Sequence, residues 1–190
     1  MKITTKILIV YGTRYGATAS TSEEIANTLR QGGFEVRVAD ANHERFEDIA
    51  QFDLVIVGSG IASGRWTSQT ENFLERFQKE LAAKKVALFV SCGYACSVFN
   101  QGKPEIISRA RDKYLEEKAR KYDLQPIALG FFGGVYDFNK GKLLRLRKTL
   151  EKASQEAEPA VKETEPGVYD TRNWNEIHTW TKEISQKVCG

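Results

Sequence analysis

Lys6-Ile7-Leu8-Ile9-Val10-Tyr11-Gly12-Thr13-Arg14-Tyr15-Gly16-Ala17-Thr18 is the stretch that decides the fold. Residues 7–10 are apolar without alternation, and a strand of that kind needs cover on both faces, as in a parallel sheet flanked by helices. The second half breaks into glycines and hydroxyls, as expected where a buried strand gives way to a helix. Leu54-Val55-Ile56-Val57 and Val86-Ala87-Leu88-Phe89-Val90 repeat the apolar half. Strands are expected at 6–11, 34–39, 53–59, 86–91 and 127–132.

Between the strands lie amphipathic segments of crossover length. One near 18–31 carries Ile25, Ala26 and Leu29 and stops at Gly32-Gly33. Another opens at Ser68-Gln69-Thr70-Glu71, which has the form of a capping box, and would bury Phe73, Leu74, Phe77 and Leu81. A third starts at Pro104 with a stripe of Ile106, Ile107, Ala110 and Tyr114. Residues 40–52 are short and charged, so at most one helical turn is expected there. Strands and helices in this alternation give a doubly wound, three-layer α/β/α sandwich.

Beyond the fifth strand, residues 139–153 hold Lys140, Lys142, Arg145, Arg147, Lys148 and Lys152 against Glu151 alone, with Leu143, Leu146 and Leu150 at helical spacing. That narrow stripe predicts a helix packed on the sheet; peripheral attachment to an anionic bilayer is the less favoured reading, since an interfacial helix carries larger anchors. Residues 154–168 invert the charge and contain Pro159 and Pro166, the composition of a solvated linker. A final helix, capped by Asp170, carries Trp174, Ile177, Thr181, Ile184 and Val188 as a docking stripe. The division expected is 1–153 as the α/β domain, 154–168 as linker and 169–190 as a helix returning to the same domain.

A chain of 190 residues, 41% hydrophobic, suits one core. Its apolar runs fall well short of the roughly 20 residues that span a bilayer. The N-terminus lacks a small-residue cleavage site, and a cytoplasmic location is expected. Cys92, Cys96 and Cys189 neither close a disulfide framework nor complete a four-thiolate metal site, so no metal is expected. His43 and His178 read as surface residues. A net charge of +3 without a Lys/Arg run points away from nucleic acid.

The chemistry gathers at the strand ends. Thr13 and Thr18, with Gly16 between them, stand at the junction of a buried strand and a helix N-terminus, where unpaired N–H groups and the positive end of the helix dipole favour a phosphate dianion. The spacing is neither a P-loop nor a dinucleotide fingerprint. Ser20-Thr21-Ser22-Glu23-Glu24 offers its own capping boxes, so the helix starts either near Ala17 or near Thr21; in the second case Ser20 or Thr21 would replace Thr18. The third strand ends in Ser59-Gly60-Ile61-Ala62-Ser63-Gly64-Arg65-Trp66, the fourth in Ser91-Cys92-Gly93-Tyr94. Ligands of doubly wound sheets collect outside these carboxyl ends, where the strand order reverses.

The strand-end hydroxyl-x-x-Gly-x-Thr loop resembles the phosphate loop of the flavodoxin-like FMN proteins, and the resemblance runs over roughly 6–135. It implies a five-stranded parallel sheet of order 2-1-3-4-5. It also implies an FMN cofactor whose phosphate lies on Thr13, Arg14, Tyr15, Gly16, Ala17 and Thr18 and whose ring lies among residues 59–66 and 91–94, flanked by Trp66 and Tyr94. Arg65, beside Trp66, would add positive charge near the ring. Tyr169-Asp170-Thr171-Arg172-Asn173-Trp174 resembles the tail of the menaquinone-dependent protoporphyrinogen oxidase branch. The function implied is electron transfer through a bound flavin, either as a carrier between redox partner proteins or as an oxidoreductase acting on a porphyrinogen or a quinone.

Overall fold

The computed structural model describes residues 4–139, 144–156 and 161–189. Its main sheet is parallel, with order β2-β1-β3-β4-β5: β1 Lys6–Gly12, β2 Glu35–Asp40, β3 Leu54–Gly60, β4 Lys85–Ser91 and β5 Ala128–Phe132. The unbroken apolar runs are explained by the two faces. Leu8, Val10, Val55, Val57, Leu88 and Val90 point into one core, and the alternate residues Ile7, Ile9, Leu54, Ile56, Ala87 and Phe89 point into the other. Each aliphatic side chain buried this way contributes roughly 1.5–3 kcal/mol.

Helix α1 (Ala17–Gln31) covers the second face with Ile25, Ala26 and Leu29. It begins at Ala17 behind Gly16, whose φ of 90° lies in the left-handed region. The alternative start near Thr21 is not taken: Thr21 is fully buried, Glu23 pairs with Arg30 and Glu24 with His178.

The first face is covered by α2 (Ser68–Arg76) and α3 (Gln78–Ala82), with Phe73, Leu74, Phe77 and Leu81 buried as the stripe predicts. The N-cap is Thr67, one residue before the Ser68 of the expected box. After β4, the short α4 (Ser97–Asn100) leads to α5 (Pro104–Arg111), a π-helical turn at Asp112–Glu116 and α6 (Glu117–Lys121). No helix forms over 40–52.

The C-terminal third departs from expectation. A second, antiparallel sheet of order β6-β8-β7 is built from β6 Val135–Asp137, β7 Lys162–Glu165 and β8 Val168–Asp170. Part of the expected 154–168 linker is therefore strand, turned at Gly167 with φ 79°. The reason is local: Val161 and Tyr169 are buried with Cys96, Leu150 and Ala153, and this small core holds the hairpin. Helix α7 (Leu144–Gln155) accordingly places Leu150 in that core and not on the main sheet, with Arg147 and Lys148 exposed. Lys140, Lys142, Leu143 and Pro159, and the side chains of Arg145 and Leu146, lie outside the described residues.

The final helix α8 (Trp174–Cys189) docks as expected, burying Ile177, Trp180, Thr181 and Ile184 beside α1. Its first turn is capped by Asn173 Oδ1, which accepts the N–H of Glu176 at 3.3 Å, whereas Asp170 stays on β8 and pairs with Arg172. Among the described residues no helix is long and apolar enough to cross a membrane.

Candidate functional site

Register brings the chemistry-bearing loops to one mouth. Gly12 lies beside Ser59, and Gly60 beside Ser91, so the chains leave β1, β3 and β4 at the same edge of the sheet. In order β2-β1-β3-β4-β5 the reversal falls between β1 and β3, which is where a crevice opens.

The β1 loop is held by its own side chains. Thr13 Oγ1 accepts the Gly16 N–H at 2.9 Å, closing a tight turn before α1. Thr18 is buried in the first helical turn, and its Oγ1 has no hydrogen-bond partner. A Cβ placed on Gly60 would meet that oxygen at 3.1 Å, so the hydroxyl lies at the junction of the β1 and β3 loops. Arg14 is exposed, and its guanidinium donates to the carbonyls of Ala62, Arg65 and Trp66 at 3.4–3.5 Å, bridging the two loops. Tyr15 is 65% exposed, and Ala17 opens the helix.

The β3 loop is a tight turn. Ala62 and Arg65 exchange backbone hydrogen bonds at 3.2 Å around Ser63 and Gly64, both at positive φ. Gly64 is at home there; Ser63 in the left-handed region carries a modest conformational cost. Ile61 donates its N–H to the Ser91 carbonyl at 2.9 Å, and Arg65 is exposed. Below the turn, Ser59, Thr67 and Thr70 form a buried hydroxyl cluster: Ser59 Oγ accepts the Thr67 N–H at 2.9 Å and the Thr67 and Thr70 hydroxyls lie 2.7 Å apart. Gly12 is required beside it, since a Cβ there would fall 2.0 Å from Thr67 Oγ1.

The same cluster explains Trp66. Thr67 caps α2 and turns the indole inward, so Trp66 is 3% exposed and donates Nε1–H to the Tyr114 carbonyl at 2.8 Å. Lys118, ion-paired with Glu71, stands over its ring. Trp66 and Ser59 are thus buried beneath the β3 turn.

The β4 loop keeps its aromatic outside. Tyr94 is 44% exposed; with Tyr15 it is one of two exposed large apolar side chains among the described residues. Its carbonyl accepts from buried Asn100, whose Oδ1 accepts the Gly102 N–H. Gly93 lies against the Tyr136 hydroxyl, and Tyr136 packs on Phe99 at 5.1 Å. Ser91 Oγ, like Thr18 and Thr21 Oγ1, is a buried hydroxyl without a partner. Burial pushes the Cys92 thiol up to about 11, against the lowering effect of a backbone hydrogen bond at Tyr94. Cys92 and Cys96 are buried, and Cys189 is exposed at the end of α8.

Two residues that hold these loops are not assigned to the site by the sequence reading, although Arg172 stands in the quoted Tyr169–Trp174 stretch. Asn100 gives no signal, because an asparagine four residues past a loop cysteine is an ordinary helix end. Arg172 reaches the first turn of α1 from the far end of the chain: its Nη1 donates to Ser20 Oγ at 2.6 Å and to the Ala17 carbonyl at 3.4 Å.

A doubly wound sheet with a tight turn at a helix N-terminus, and glycine-rich turns beside it, is the arrangement in which open α/β proteins hold their ligands. Residues 8–159 match the family model described as a flavodoxin domain, and the chain belongs to that family. It is an FMN-binding redox protein. The residues present fit the cofactor: of the three buried hydroxyls without a partner among the described residues, Thr18, Thr21 and Ser91, Thr18 lies against the β3 loop at Gly60 and Ser91 ends β4, and the space beside Gly16 is open.

An NAD(P)H dehydrogenase (quinone) of Afipia carboxidovorans is 32% identical over a match that covers 38% of this chain and 46% of the relative. One from Rhodopseudomonas palustris is 29% identical, covering 37% and 46%. The match thus spans about half the length of these curated relatives, 46% in each. Among solved structures, a flavodoxin from the domain Archaea superposes with a TM-score of 0.56 at 16% identity, covering 97% of this chain and 99% of that one. Oxidised flavodoxin 2 from Bacillus cereus gives 0.55 at 19% identity, covering 96% and 99%.

Proposed function

We propose that the β1 loop, residues 13–18, receives the FMN phosphate, that the ring lies between the β3 turn and Tyr94, and that the protein passes electrons to a small planar acceptor of the quinone class. The observation that carries the phosphate assignment is the partnerless, buried Thr18 hydroxyl at the N-terminus of α1. A charge-assisted hydrogen bond from such a group contributes roughly 1.5–3 kcal/mol, and the backbone N–H groups of the first helical turn add to it. Bound FMN supplies reversible one- and two-electron chemistry; the chain supplies anchoring, orientation and access.

Access favours the quinone reading over a pure carrier. With Trp66 turned into the core, the β3 loop offers Ala62, Ser63 and Gly64 at the mouth, and Tyr94 supplies the aromatic on the β4 side. Small residues on one side leave room for a flat molecule. Reducing a quinone to its hydroquinone takes two electrons and two protons, and the names of the relatives point to the same acceptor class. The carrier reading and a porphyrinogen substrate are the competing outcomes.

Apoprotein titrated with FMN and with riboflavin tests the site: FMN is expected to bind at least tenfold tighter, about 1.4 kcal/mol, and equal affinities would overturn the phosphate assignment. Anaerobic turnover of the holoprotein with NAD(P)H as donor and a soluble quinone as acceptor tests the acceptor class, and a parallel assay with protoporphyrinogen as donor and the same quinone as oxidant tests the porphyrinogen alternative. Fast quinone reduction is expected; oxidation of protoporphyrinogen alone, or transfer to redox proteins alone, would replace it.

A further inference from the structure

The Asp170-Thr171-Arg172 segment lies far from the loops in sequence, yet it is fastened to the helix that carries the phosphate loop. Arg172 is held from every side. Its Nε and Nη2 edge meets the Asp170 carboxylate in two parallel bonds of 2.9 and 2.7 Å. Its plane stands 4.2 Å over the Trp174 ring. Its Nη1 is directed away from the carboxylate, to Ser20 Oγ and the Ala17 carbonyl in the first turn of α1. The side chain is 9% exposed. Thr171 locks the segment behind it, exchanging bonds with the N–H and carbonyl of Gly134 at 3.0 and 2.9 Å.

An ion pair of this kind is oriented: the cation faces α1 and the anion lies behind it. A fork-to-fork arginine–carboxylate pair fixes that direction better than a lysine does. Positive charge held against the first turn of a helix opposes that helix's own dipole, so it does not stabilise α1 by itself. It is useful if the turn holds an anion. The guanidinium of Arg14, within the loop, is meanwhile engaged with the carbonyls of the β3 turn.

We propose that Arg172, aimed by Asp170 and Trp174, is a positioning residue for the cofactor's phosphate: it holds the first turn of α1 in place and adds fixed positive potential there. This rests on the phosphate assignment above. The C-terminal segment is therefore part of the cofactor site.

The test is the ratio of FMN to riboflavin affinity, measured by flavin fluorescence on apoprotein of the wild type, Arg172→Gln and Arg172→Lys. A large wild-type ratio establishes the phosphate assignment independently. The expected result is a fall of about five- to tenfold in FMN affinity for Arg172→Gln with riboflavin affinity unchanged, and partial recovery in Arg172→Lys, which keeps the charge and loses the fork. Equal weakening of both flavins would reduce Arg172 to a purely structural role, and an unchanged ratio would overturn the proposal. Should Arg172→Gln fold poorly, Arg172→Lys alone decides by the same ratio: its fall supports the assignment and its constancy overturns it.

Discussion

A hydroxyl buried without a partner costs about 1–3 kcal/mol, and Thr18 carries one in the first turn of α1. Thr18→Val keeps the shape and removes the oxygen. The apoprotein is expected to become more stable while FMN affinity falls about tenfold, two effects of opposite sign that urea unfolding and flavin titration separate. Loss of both stability and affinity would mean that Thr18 serves packing alone. At Cys92 burial raises the thiol to about 11 from about 9. Between those values the unfolded chain has released its thiol proton and the folded chain has kept it, so the unfolded state gains with rising pH. Stability is complete below about pH 9 and falls by about 2–3 kcal/mol towards pH 11. Tyr136 and Tyr114, also raised by burial, extend the loss in the same direction at higher pH. Urea midpoints at pH 8 and pH 10 should lie closer together in Cys92→Ala than in the wild type; a drop as large as in the wild type would remove the thiol from the account. The turn at Thr13, Gly16 and Thr18 was legible because hydroxyls and a glycine after a buried strand mark a strand–helix junction, and α1 starts there. Trp66 was not: adjacency to a loop says nothing about direction, and the Ser59–Thr67–Thr70 cluster that turns it inward is assembled from two elements.

Elements were legible in proportion to how strongly burial writes itself into a pattern. Strands buried on both faces are uniformly apolar, and β1, β3 and β4 follow from that alone, with ends shifted by a residue where the backbone ladder runs past the apolar run. Helix stripes at Phe73, Leu74, Phe77 and Leu81 and at Ile177, Thr181 and Ile184 were readable for the same reason. Strand β7 was not. All four residues of Lys162-Glu163-Thr164-Glu165 are exposed, so the sequence lacks the period-two apolar signal and reads as linker. Its strand character comes from pairing with β8 and from the flanking anchors Val161 and Tyr169. Charged residues along such an edge also discourage pairing with a further chain. The Asp170 cap failed similarly: the residue is committed to Arg172, and Asn173, three positions on, takes the cap.

At the scale of the whole molecule, the cofactor site draws on both cores. In the site proposed, loops from β1, β3 and β4 would form the mouth and the first turn of α1 the floor on one face, and Arg172 ties that turn to the segment between β8 and α8. A ligand held by so many elements recognises the native fold alone, so binding shifts unfolding by mass action. At free FMN one hundred times the dissociation constant the gain is about 2.7 kcal/mol. For a chain of 190 residues each kcal/mol moves the midpoint by about 2–4 °C, hence a rise of about 5–11 °C. The tryptophans make the transition visible on both faces, Trp66 in one core and Trp174 and Trp180 at the other. Flavin release and tryptophan emission should therefore change together in one thermal transition. A flavin signal lost well below the tryptophan midpoint would mean that the loops and the C-terminal segment open as a separate, less stable unit, and that Arg172 joins the site only while that unit is closed.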